Sequence, residues 1–330
     1  MLKVGLIGCG GIGAVHAECW MLLKDEVQLA AIADTNAERV DKYVTKSGAK
    51  LYSSGFEMLE KEELDIVDIC LPTFLHAEYA IKAMERVKYV IVEKVVCLKE
   101  EEAQQMLEAQ EKTGALVQVA HVVRVARVNA YLKKLVSSGE YGKVVAGSFS
   151  RFSSRPLWMR GFDDIDKTGG MALDLHIHDA DFIRYLMGGD PDHVSAQAVR
   201  DQNGLIQHIW STYRFGEALI MAEASWDYPS GMGFTKRFRI KLEKAAVVLS
   251  EAGVLTVYPE TGGKFVPKLE EALEMDTGIN VSDLRDYLDE LKYMLEVIRS
   301  GDRNGILSLS EAVASFRLVM KEQEAANRGE

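Results

Sequence analysis

The sequence predicts an α/β domain built on a doubly wound parallel sheet, followed by an α+β domain built on a large, mostly antiparallel sheet. In residues 1–121, short apolar runs alternate with amphipathic helical stretches, which is the pattern of βαβ units. In residues 122–330, most strand-like runs alternate polar and apolar residues, as half-exposed antiparallel strands do. A chain of 330 residues is also long enough for two domains.

The first domain contains apolar runs of strand length that are rich in β-branched residues. Because these runs are apolar on both faces, they predict a sheet covered by helices on both sides. The runs are Val4–Ile7, Val27–Ala33, Ile66–Leu71, Tyr89–Val92 and Leu116–Ala120. Helical patterns separate them at Ile12–Leu23, Ala37–Ser47, Ala77–Arg86 and Glu100–Lys112.

The second domain is predicted to combine strands with a few helices. The strands are Val144–Phe152, Val194–Arg200, Gln207–Phe215, Ala218–Trp226, Phe238–Leu242, Ala246–Ser250 and Val254–Tyr258. The helices are Asn129–Ser138, Met171–Met187, Asp283–Ser300 and Leu309–Ala326. The last of these helices is expected to pack back on the first domain.

Charge and cysteine content narrow the classes of partner and compartment. The formal net charge of −11 argues against nucleic acid, because a phosphate backbone requires a basic face. No apolar run approaches the ~18 residues of a membrane span, and no charged leader precedes the first strand. The cysteines form no C-x-x-C pair, which predicts buried reduced thiols, no metal site and a cytoplasmic protein. They are Cys9, Cys19, Cys70 and Cys97.

A glycine-rich loop follows the first strand directly and opens a helix. It reads Gly8-Cys9-Gly10-Gly11-Ile12-Gly13 and matches G-x-G-x-x-G. Its glycines allow a tight turn and a close approach of the backbone to a pyrophosphate, whose charge the helix N-terminus favours. Asp34 ends the second strand about 20 residues later, where an acid can bind the adenosine ribose. The loop and the acid together predict a Rossmann domain that binds a nicotinamide dinucleotide; a helix N-cap is the other interpretation of Asp34.

The same acid bears on the choice between NAD and NADP. A 2′-phosphate on the ribose would be repelled by Asp34. Thr35 and Asn36 follow it, and the first basic residue is Arg39. The sequence therefore favours NAD and leaves NADP open.

Further motifs occur along the chain in a recognisable order. They are Gly8–Gly13 followed by His16, then Pro72-Thr73-Phe74-Leu75-His76, then Glu93-Lys94, then Arg124 through Gly142-Lys143-Val144, and finally Gly169-Gly170-Met171-Ala172-Leu173-Asp174-Leu175-His176-Ile177-His178-Asp179-Ala180-Asp181. In these motifs the chain resembles the Gfo/Idh/MocA oxidoreductase family, which includes inositol dehydrogenases and glucose–fructose oxidoreductase. The similarity covers essentially the whole chain. It implies a Rossmann domain plus an open-faced sheet domain that builds dimers or tetramers.

The resemblance implies that Lys94, Asp174 and His178 are the catalytic residues. Hydride transfer from a secondary alcohol needs a base for the hydroxyl proton and a group that stabilises the developing negative charge. On a helix, Asp174 and His178 lie one turn apart on one face, so the carboxylate can orient the imidazole. From spacing alone, a solvated aspartate, a packed histidine and a surface lysine are the favoured explanation of these residues, and it is the match to the family's motifs that reverses this preference.

The resemblance also assigns cofactor contacts to the segments after the fourth and fifth strands. These contacts are Pro72, Thr73, His76, Glu93 and Lys94, in addition to the glycine loop and Asp34. Val95 replaces the proline that follows the lysine in the family. A cis bond before proline costs little, whereas a cis Lys-Val bond costs roughly 2.5–4 kcal/mol. The sequence leaves both a trans and a cis bond open here.

Four residues are candidates for substrate binding. Arg155 and Trp158 lie in the segment Arg151–Arg160, which combines an apolar ring with charged donors, as a sugar or carboxylate site does. A solvated arginine-rich loop is the alternative. His121 and Arg124 are expected at the domain junction, and His176 is expected to pack rather than to line the site.

The leading functional hypothesis is an NAD-dependent dehydrogenase acting on a hydroxyl of a sugar, inositol or related polyol. The same scaffold also supports imine reduction, or glycoside cleavage through transient oxidation. A non-catalytic NAD-sensing regulator is an alternative of another class. Such a regulator often lacks proton-handling residues, but Lys94, Asp174 and His178 are all present.

Overall fold

The chain folds into two compact units. This computed structural model describes residues 1–156, 161–162, 164–274 and 283–329. The first unit comprises Met1–Ala126 and Glu271–Val313, and the second comprises Arg127–Glu270 and Ala314–Glu330. The first break lies close to the predicted boundary between residues 121 and 122. The sequence predicts residues 271–313 to lie in the second domain, but they belong to the first unit.

The sheet of the first unit is parallel and doubly wound. Its strands are β1 Leu2–Ile7, β2 Val27–Ala33, β3 Lys50–Tyr52, β4 Ile66–Ile69, β5 Tyr89–Glu93 and β6 Leu116–Ala120. They lie in the order β3-β2-β1-β4-β5-β6, which confirms the predicted parallel sheet. The strand order reverses between β1 and β4, and ligands of such sheets bind beyond the carboxyl ends of the strands at that point.

The helices connect the strands and cover the sheets. They are α1 Gly11–Leu22, α2 Ala37–Ser47, α3 Gly55–Lys61, α4 His76–Met84, α5 Glu100–Thr113, α6 Arg127–Ser138, α7 Ile165–Thr168, α8 Ile177–Met187, α9 Arg285–Ser300 and α10 Leu309–Arg328. Short 3₁₀ helices cover Thr73–Leu75, Val122–Arg124 and Ser230–Met232, and a π-helix covers Ala172–His176. Among the described helices, none combines the length and apolar character needed to cross a bilayer.

Helix α9 explains why residues 271–313 belong to the first unit. Helix α1 is apolar on nearly all sides, so it needs cover beyond the sheet. Val15 and Trp20 of α1 share one buried core with Leu291 and Leu295 of α9. The prediction for the last helix is corrected at the same time, because α10 begins in the first unit and places most of its length in the second.

The sheet of the second unit has seven strands, and all seven correspond to predicted strands. They are β7 Val144–Ser154, β8 His193–Arg200, β9 Ile206–Phe215, β10 Ala218–Tyr228, β11 Thr235–Leu242, β12 Ala245–Leu249 and β13 Leu255–Pro259. Their order is β13-β12-β11-β7-β10-β9-β8. Every pair is antiparallel except β7 with β10, which confirms the mostly antiparallel sheet.

One face of this second sheet is buried and the other is open. In β9, Ile209 and Tyr213 are buried, whereas Trp210 is exposed. In β10, Leu219 and Met221 are exposed, and Ile220 between them is buried. The alternation therefore has the period that the sequence predicted for half-exposed strands.

The prediction that the cysteines are buried thiols is confirmed. All four are buried, and none is in a disulfide. Burial raises the pKa of Cys9 and the pKa of Cys19 to about 12. Both thiols are therefore protonated at neutral pH and act as small apolar side chains.

Candidate active site

The glycine loop has the close packing that a dinucleotide site requires. Gly8 has φ +84°, and its N–H donates to the Ala33 carbonyl at 2.8 Å. A Cβ at Gly13 would lie 2.1 Å from the Gly8 carbonyl oxygen, so only glycine fits there. A Cβ at Gly10 would meet nothing within 4 Å. The backbone at Gly10 thus borders open space at the start of α1, where a pyrophosphate can approach.

Asp34 connects the loops that follow β1 and β2. Its Oδ2 accepts the Cys9 N–H at 2.7 Å, and its Oδ1 accepts the Asn36 N–H at 2.8 Å. The N-cap of α2 is Asn36, whose side chain accepts the Arg39 N–H. The N-cap interpretation of Asp34 is therefore wrong, and the acid lies beside the glycine loop instead.

His76 joins the segments that follow β4 and β5. Its Nδ1 lies 2.8 Å from the Val95 carbonyl oxygen, and its Nε2 lies 2.7 Å from the Leu71 carbonyl oxygen. The side chain is buried. His76 therefore positions the two loops, while Pro72 and Thr73 lie at the carboxyl end of β4, where the sequence predicted cofactor contacts.

The Glu93-Lys94 turn ends β5. Glu93 is buried, and its Oε2 accepts the backbone N–H of Lys94 at 3.0 Å. Lys94 is half-buried. The peptide bond between Lys94 and Val95 is cis, one of the two outcomes that the sequence left open.

A buried polar cluster behind this turn was missed by sequence reasoning. His16 of α1 contacts both Asp68 of β4 and Glu93. Glu290 of α9 is also buried close by. The available signal was an aspartate inside the apolar run Ile66–Leu71, because a buried acid requires partners.

Asp174 and His178 share the accessible side of one segment in the second unit. Asp174 lies in the π-helix Ala172–His176, which continues directly into α8. Both side chains are half-buried, whereas Leu173 and Ile177 are buried. The four-residue spacing thus leaves a carboxylate and an imidazole partly accessible on one segment.

A buried network fixes the π-helix. His176 Nε2 lies 2.5 Å from Glu322 Oε2 of α10. The hydroxyls of Ser211 and Tyr213 in β9 donate to the same carboxylate at 2.7 and 3.0 Å. His176 therefore packs, as expected, and anchors the segment between Asp174 and His178.

Neighbouring residues brace α8 from other sides. Arg151 of β7 donates to Asp179 through two hydrogen bonds of 3.0 and 2.8 Å. Ser315 donates to Asp181 at 2.6 Å. Arg151 begins the segment predicted as a substrate loop, but it is buried and paired with α8.

Arg155 lines a cavity of about 270 Å³ in the second unit. The other lining residues include Phe162, Met171, Arg200 and Trp226. This combination of guanidinium groups and apolar rings fits the predicted substrate segment. Trp158, the other candidate of that segment, lies outside the described residues.

Arg124 and His121 lie in the first unit. Arg124 is buried and donates to the Ile306 carbonyl at 2.6 Å and to Glu311 at 3.1 Å. His121, three residues earlier in the chain, is also buried. The contacts of Arg124 hold the loop after β6 against the α9–α10 connection, so the predicted substrate role of Arg124 is withdrawn.

Comparison with known proteins shows that this chain is similar to an oxidoreductase family and to proteins named as inositol dehydrogenases. Residues 2–121 match an oxidoreductase family with an NAD-binding Rossmann fold, and residues 129–248 match the Gfo/Idh/MocA C-terminal domain. The chain is 32% identical over 196 residues to myo-inositol 2-dehydrogenase of Thermotoga maritima, covering 59% of this chain and 58% of the relative. It is 30% identical over 204 residues to scyllo-inositol 2-dehydrogenase (NAD+) of Bacillus subtilis, covering 59% and 56%. The chain thus spans less than two thirds of the length of these relatives.

Solved structures show the same fold over the full chain. A putative myo-inositol dehydrogenase from Sinorhizobium meliloti has a TM-score of 0.83 at 22% identity, covering 100% of this chain and 98% of that one. Levoglucosan dehydrogenase in complex with NADH and levoglucosan has a TM-score of 0.85 at 20% identity, with the same coverage. Both family matches and the fold agree, and the chain belongs to the Gfo/Idh/MocA oxidoreductase family.

Proposed function

We propose that this chain transfers hydride between NAD and a secondary hydroxyl or ketone of a sugar, inositol or related polyol. The supporting observation is the placement of the glycine loop, Asp34 and Lys94 at the carboxyl ends of strands in one sheet. The accessible side shared by Asp174 and His178 adds the groups for proton handling. Two relatives named as inositol dehydrogenases support the polyol class.

Each proposed catalytic residue has a distinct task. Bound NAD would accept or return the hydride. Lys94 would donate a hydrogen bond to the substrate oxygen and stabilise its developing negative charge. His178 would take the hydroxyl proton, and Asp174 would orient the imidazole.

Arg155 is our candidate for substrate binding in the second unit. Its guanidinium lines a cavity that also contains Trp226, so a sugar could contact an apolar ring and a charged donor together. The roles of Trp158 and His121 stay sequence predictions.

A substrate panel tests the proposed function directly. The purified chain is incubated with NAD+ and with inositols, aldoses, sugar acids and glycosides, and absorbance at the nicotinamide band is followed. NADH formation with a free sugar or inositol supports the proposal. Turnover restricted to glycosides favours oxidation-assisted cleavage, and NAD binding without any turnover favours the regulator.

Asp34→Ala is expected to relax discrimination against NADP. The ratio of kcat/KM values for NAD over NADP should fall about 10–100-fold, the effect of losing hydrogen bonds to a charged group worth ~1.5–3 kcal/mol. Asp34→Asn is the matched variant, because it keeps an acceptor for the Cys9 N–H and removes only the charge. An unchanged cofactor preference in both variants would remove Asp34 from the ribose site.

We also propose that the open sheet face forms a homodimer or homotetramer contact. Trp210, Leu219 and Met221 on this face are 36%, 43% and 44% exposed. Exposed apolar residues that adjoin one another on a flat sheet mark interaction surfaces. Met221→Glu should therefore yield monomers in sedimentation velocity, whereas Val254→Glu, at an exposed turn, should not.

A cytoplasmic location is the compartment we propose. The support comes from the four cysteines, which are all buried and free. Reduced thiols are typical of a reducing compartment.

A further inference from the structure

A series of buried polar contacts leads from α1 to the backbone of Lys94. The Trp20 indole N–H donates to Asp68 Oδ2 at 2.7 Å, and His16 Nδ1 lies 2.9 Å from the same oxygen. On the other side of the ring, His16 Nε2 lies 3.2 Å from Glu93 Oε1. This last contact is an ion pair that is not aligned as a hydrogen bond. His16 thus lies between two carboxylates with no exposure to solvent.

The imidazole of His16 is positively charged in this position. Burial by itself lowers the pKa of His16, but the charge of Asp68, the hydrogen bond to it and the neighbouring Cys70 together raise the pKa well above its usual value. Both ring nitrogens then carry protons, so Nδ1 donates to Asp68 and Nε2 presents a cation to Glu93.

A metal site is a weaker explanation of the same cluster. The ligand atoms of His16, Asp68 and Cys70 all lie within 4.8 Å of one another. However, the Asp68 carboxylate already accepts hydrogen bonds from Trp20 and His16, and the Cys70 thiol faces it at 3.6 Å. Burial raises the pKa of Cys70 well above its usual value, so this residue is a thiol and not the thiolate that metals bind.

Glu93 connects His16 with the backbone of Lys94, because its carboxylate contacts both. One of its carboxylate oxygens accepts the Lys94 N–H at 3.0 Å, and the other faces the His16 ring. Rotation of the carboxylate would lose both contacts at once. The imidazolium therefore fixes the rotamer of Glu93, and that rotamer fixes the backbone from which the Lys94 side chain extends.

We propose that His16 is a positioning residue for the hydride-transfer reaction, holding Glu93 and through it the direction of Lys94. The proposal rests on the role proposed for Lys94 above. His16 has no path to solvent, so it acts on the lysine through Glu93 and does not touch the substrate.

Helix α9 supplies the remaining groups that face His16. The Tyr287 ring centroid lies 6.4 Å from that of His16, and the Glu290 carboxylate has no hydrogen-bond partner among the described residues. Burial, and after it the charge of Glu93, raises the pKa of Glu290 well above its usual value. Glu290 is therefore a neutral acid, and the cluster contains one cation and two carboxylates.

A double-mutant cycle tests the proposal. His16→Gln and Glu93→Gln are each expected to lower kcat roughly 10–100-fold, which is the usual effect of losing a residue that positions a functional side chain. The double variant should cost little more than either single change, because the two residues act in series. Since His16→Gln could disturb folding, Glu93→Gln is the second arm, because it leaves the pair of His16 and Asp68 intact. Additive losses, or unchanged kcat in both single variants, would overturn the proposal.

The pH profile separates positioning from a merely structural role. His16→Gln removes a buried cation, which raises the pKa of nearby ionisable groups. One limb of the plot of kcat against pH should therefore move to higher pH. Removing the anion in Glu93→Gln should move the same limb to lower pH. If both variants keep the pH profile of the parent, the charges of His16 and Glu93 do not affect the pKa values of the reacting groups, and the two residues have only a structural role.

Glu290→Gln is the matched control within the same cluster. A glutamine replaces a neutral acid of equal shape, so kcat and its pH profile should stay those of the parent. Because the pKa of Glu290 is raised on folding, the parent loses stability as pH rises above the unfolded value of about 4.3. The variant should therefore have the higher Tm at pH 7, and the difference should vanish near pH 4. A pH-independent Tm difference would contradict the neutral acid.

Lys94→Met distinguishes failure of this proposal from failure of the proposed function. If Lys94→Met turns over like the parent, the role of Lys94 is wrong and the positioning role falls with it. If Lys94→Met is inactive and His16→Gln is fully active, only the positioning role is wrong.

Discussion

His178→Ala should lower kcat by roughly 10²–10⁴, because the reaction would lose the general base that we propose. NAD affinity should stay nearly unchanged, since the glycine loop and Asp34 belong to the other compact unit of the chain. The measurement is steady-state kinetics on the best substrate of the panel, together with NAD titration by fluorescence.

The control for His178 is another histidine of the second unit. His193 is exposed at the start of β8, so His193→Ala should keep the parental kcat. His176 is unsuitable as a control, because its loss would break the buried contact with Glu322. Parental activity in His178→Ala would remove the residue from the base role, even if NAD binding is confirmed.

Gly13→Ala should destabilise the glycine loop or abolish NAD binding. Among the variants considered, its expected effect is second only to that of His178→Ala. The added Cβ would lie 2.1 Å from the Gly8 carbonyl oxygen and 3.1 Å from the Cys70 Cβ, and backbone atoms cannot yield as a side chain does. We expect a loss of about 3 kcal/mol or more in unfolding free energy, measured by urea denaturation without cofactor.

Gly10→Ala separates the two functions of the glycines, which are close packing of the backbone and access of the pyrophosphate. Among the described residues, a Cβ at Gly10 would meet no atom within 4 Å beyond its two chain neighbours, and the backbone of Gly10 is already extended, so the unfolding free energy should stay parental. NAD binding should nevertheless weaken strongly, because the methyl group occupies the space open to the pyrophosphate. Parental NAD affinity in Gly10→Ala would mean that the phosphates rest elsewhere.

The fold could be predicted well because its signals are local. Apolar runs such as Ile66–Leu71 result from burial of the strand on both faces. The alternation in β9 and β10 results from burial on one face only. The strand β3, Lys50–Tyr52, was missed because three residues at the sheet edge, two of them exposed, leave no apolar run. The assignment of residues 271–313 also failed, since no local pattern in α9 reveals that its partner is α1.

The candidate site could be predicted only where a motif carried it. The glycine loop and Asp34 have a fixed spacing, and both proved to lie together. Arg124 and Arg151 looked like substrate donors, yet each is buried against a partner that sequence spacing does not reveal. The partner of Arg124, Glu311, lies 187 residues further along the chain, and no periodicity connects positions so far apart.

Both compact units are assembled from two separate stretches of chain, which has a consequence for biosynthesis. The ribosome releases Trp20 and its neighbours long before Leu291 and Leu295 exist to cover them, and His176 emerges long before Glu322. Neither unit can complete its core until the second of its two stretches has been synthesised. An expressed fragment that stops after β6 would leave the apolar side of α1 open to aggregation, and any shortened version for biochemical work should retain Glu271–Val313.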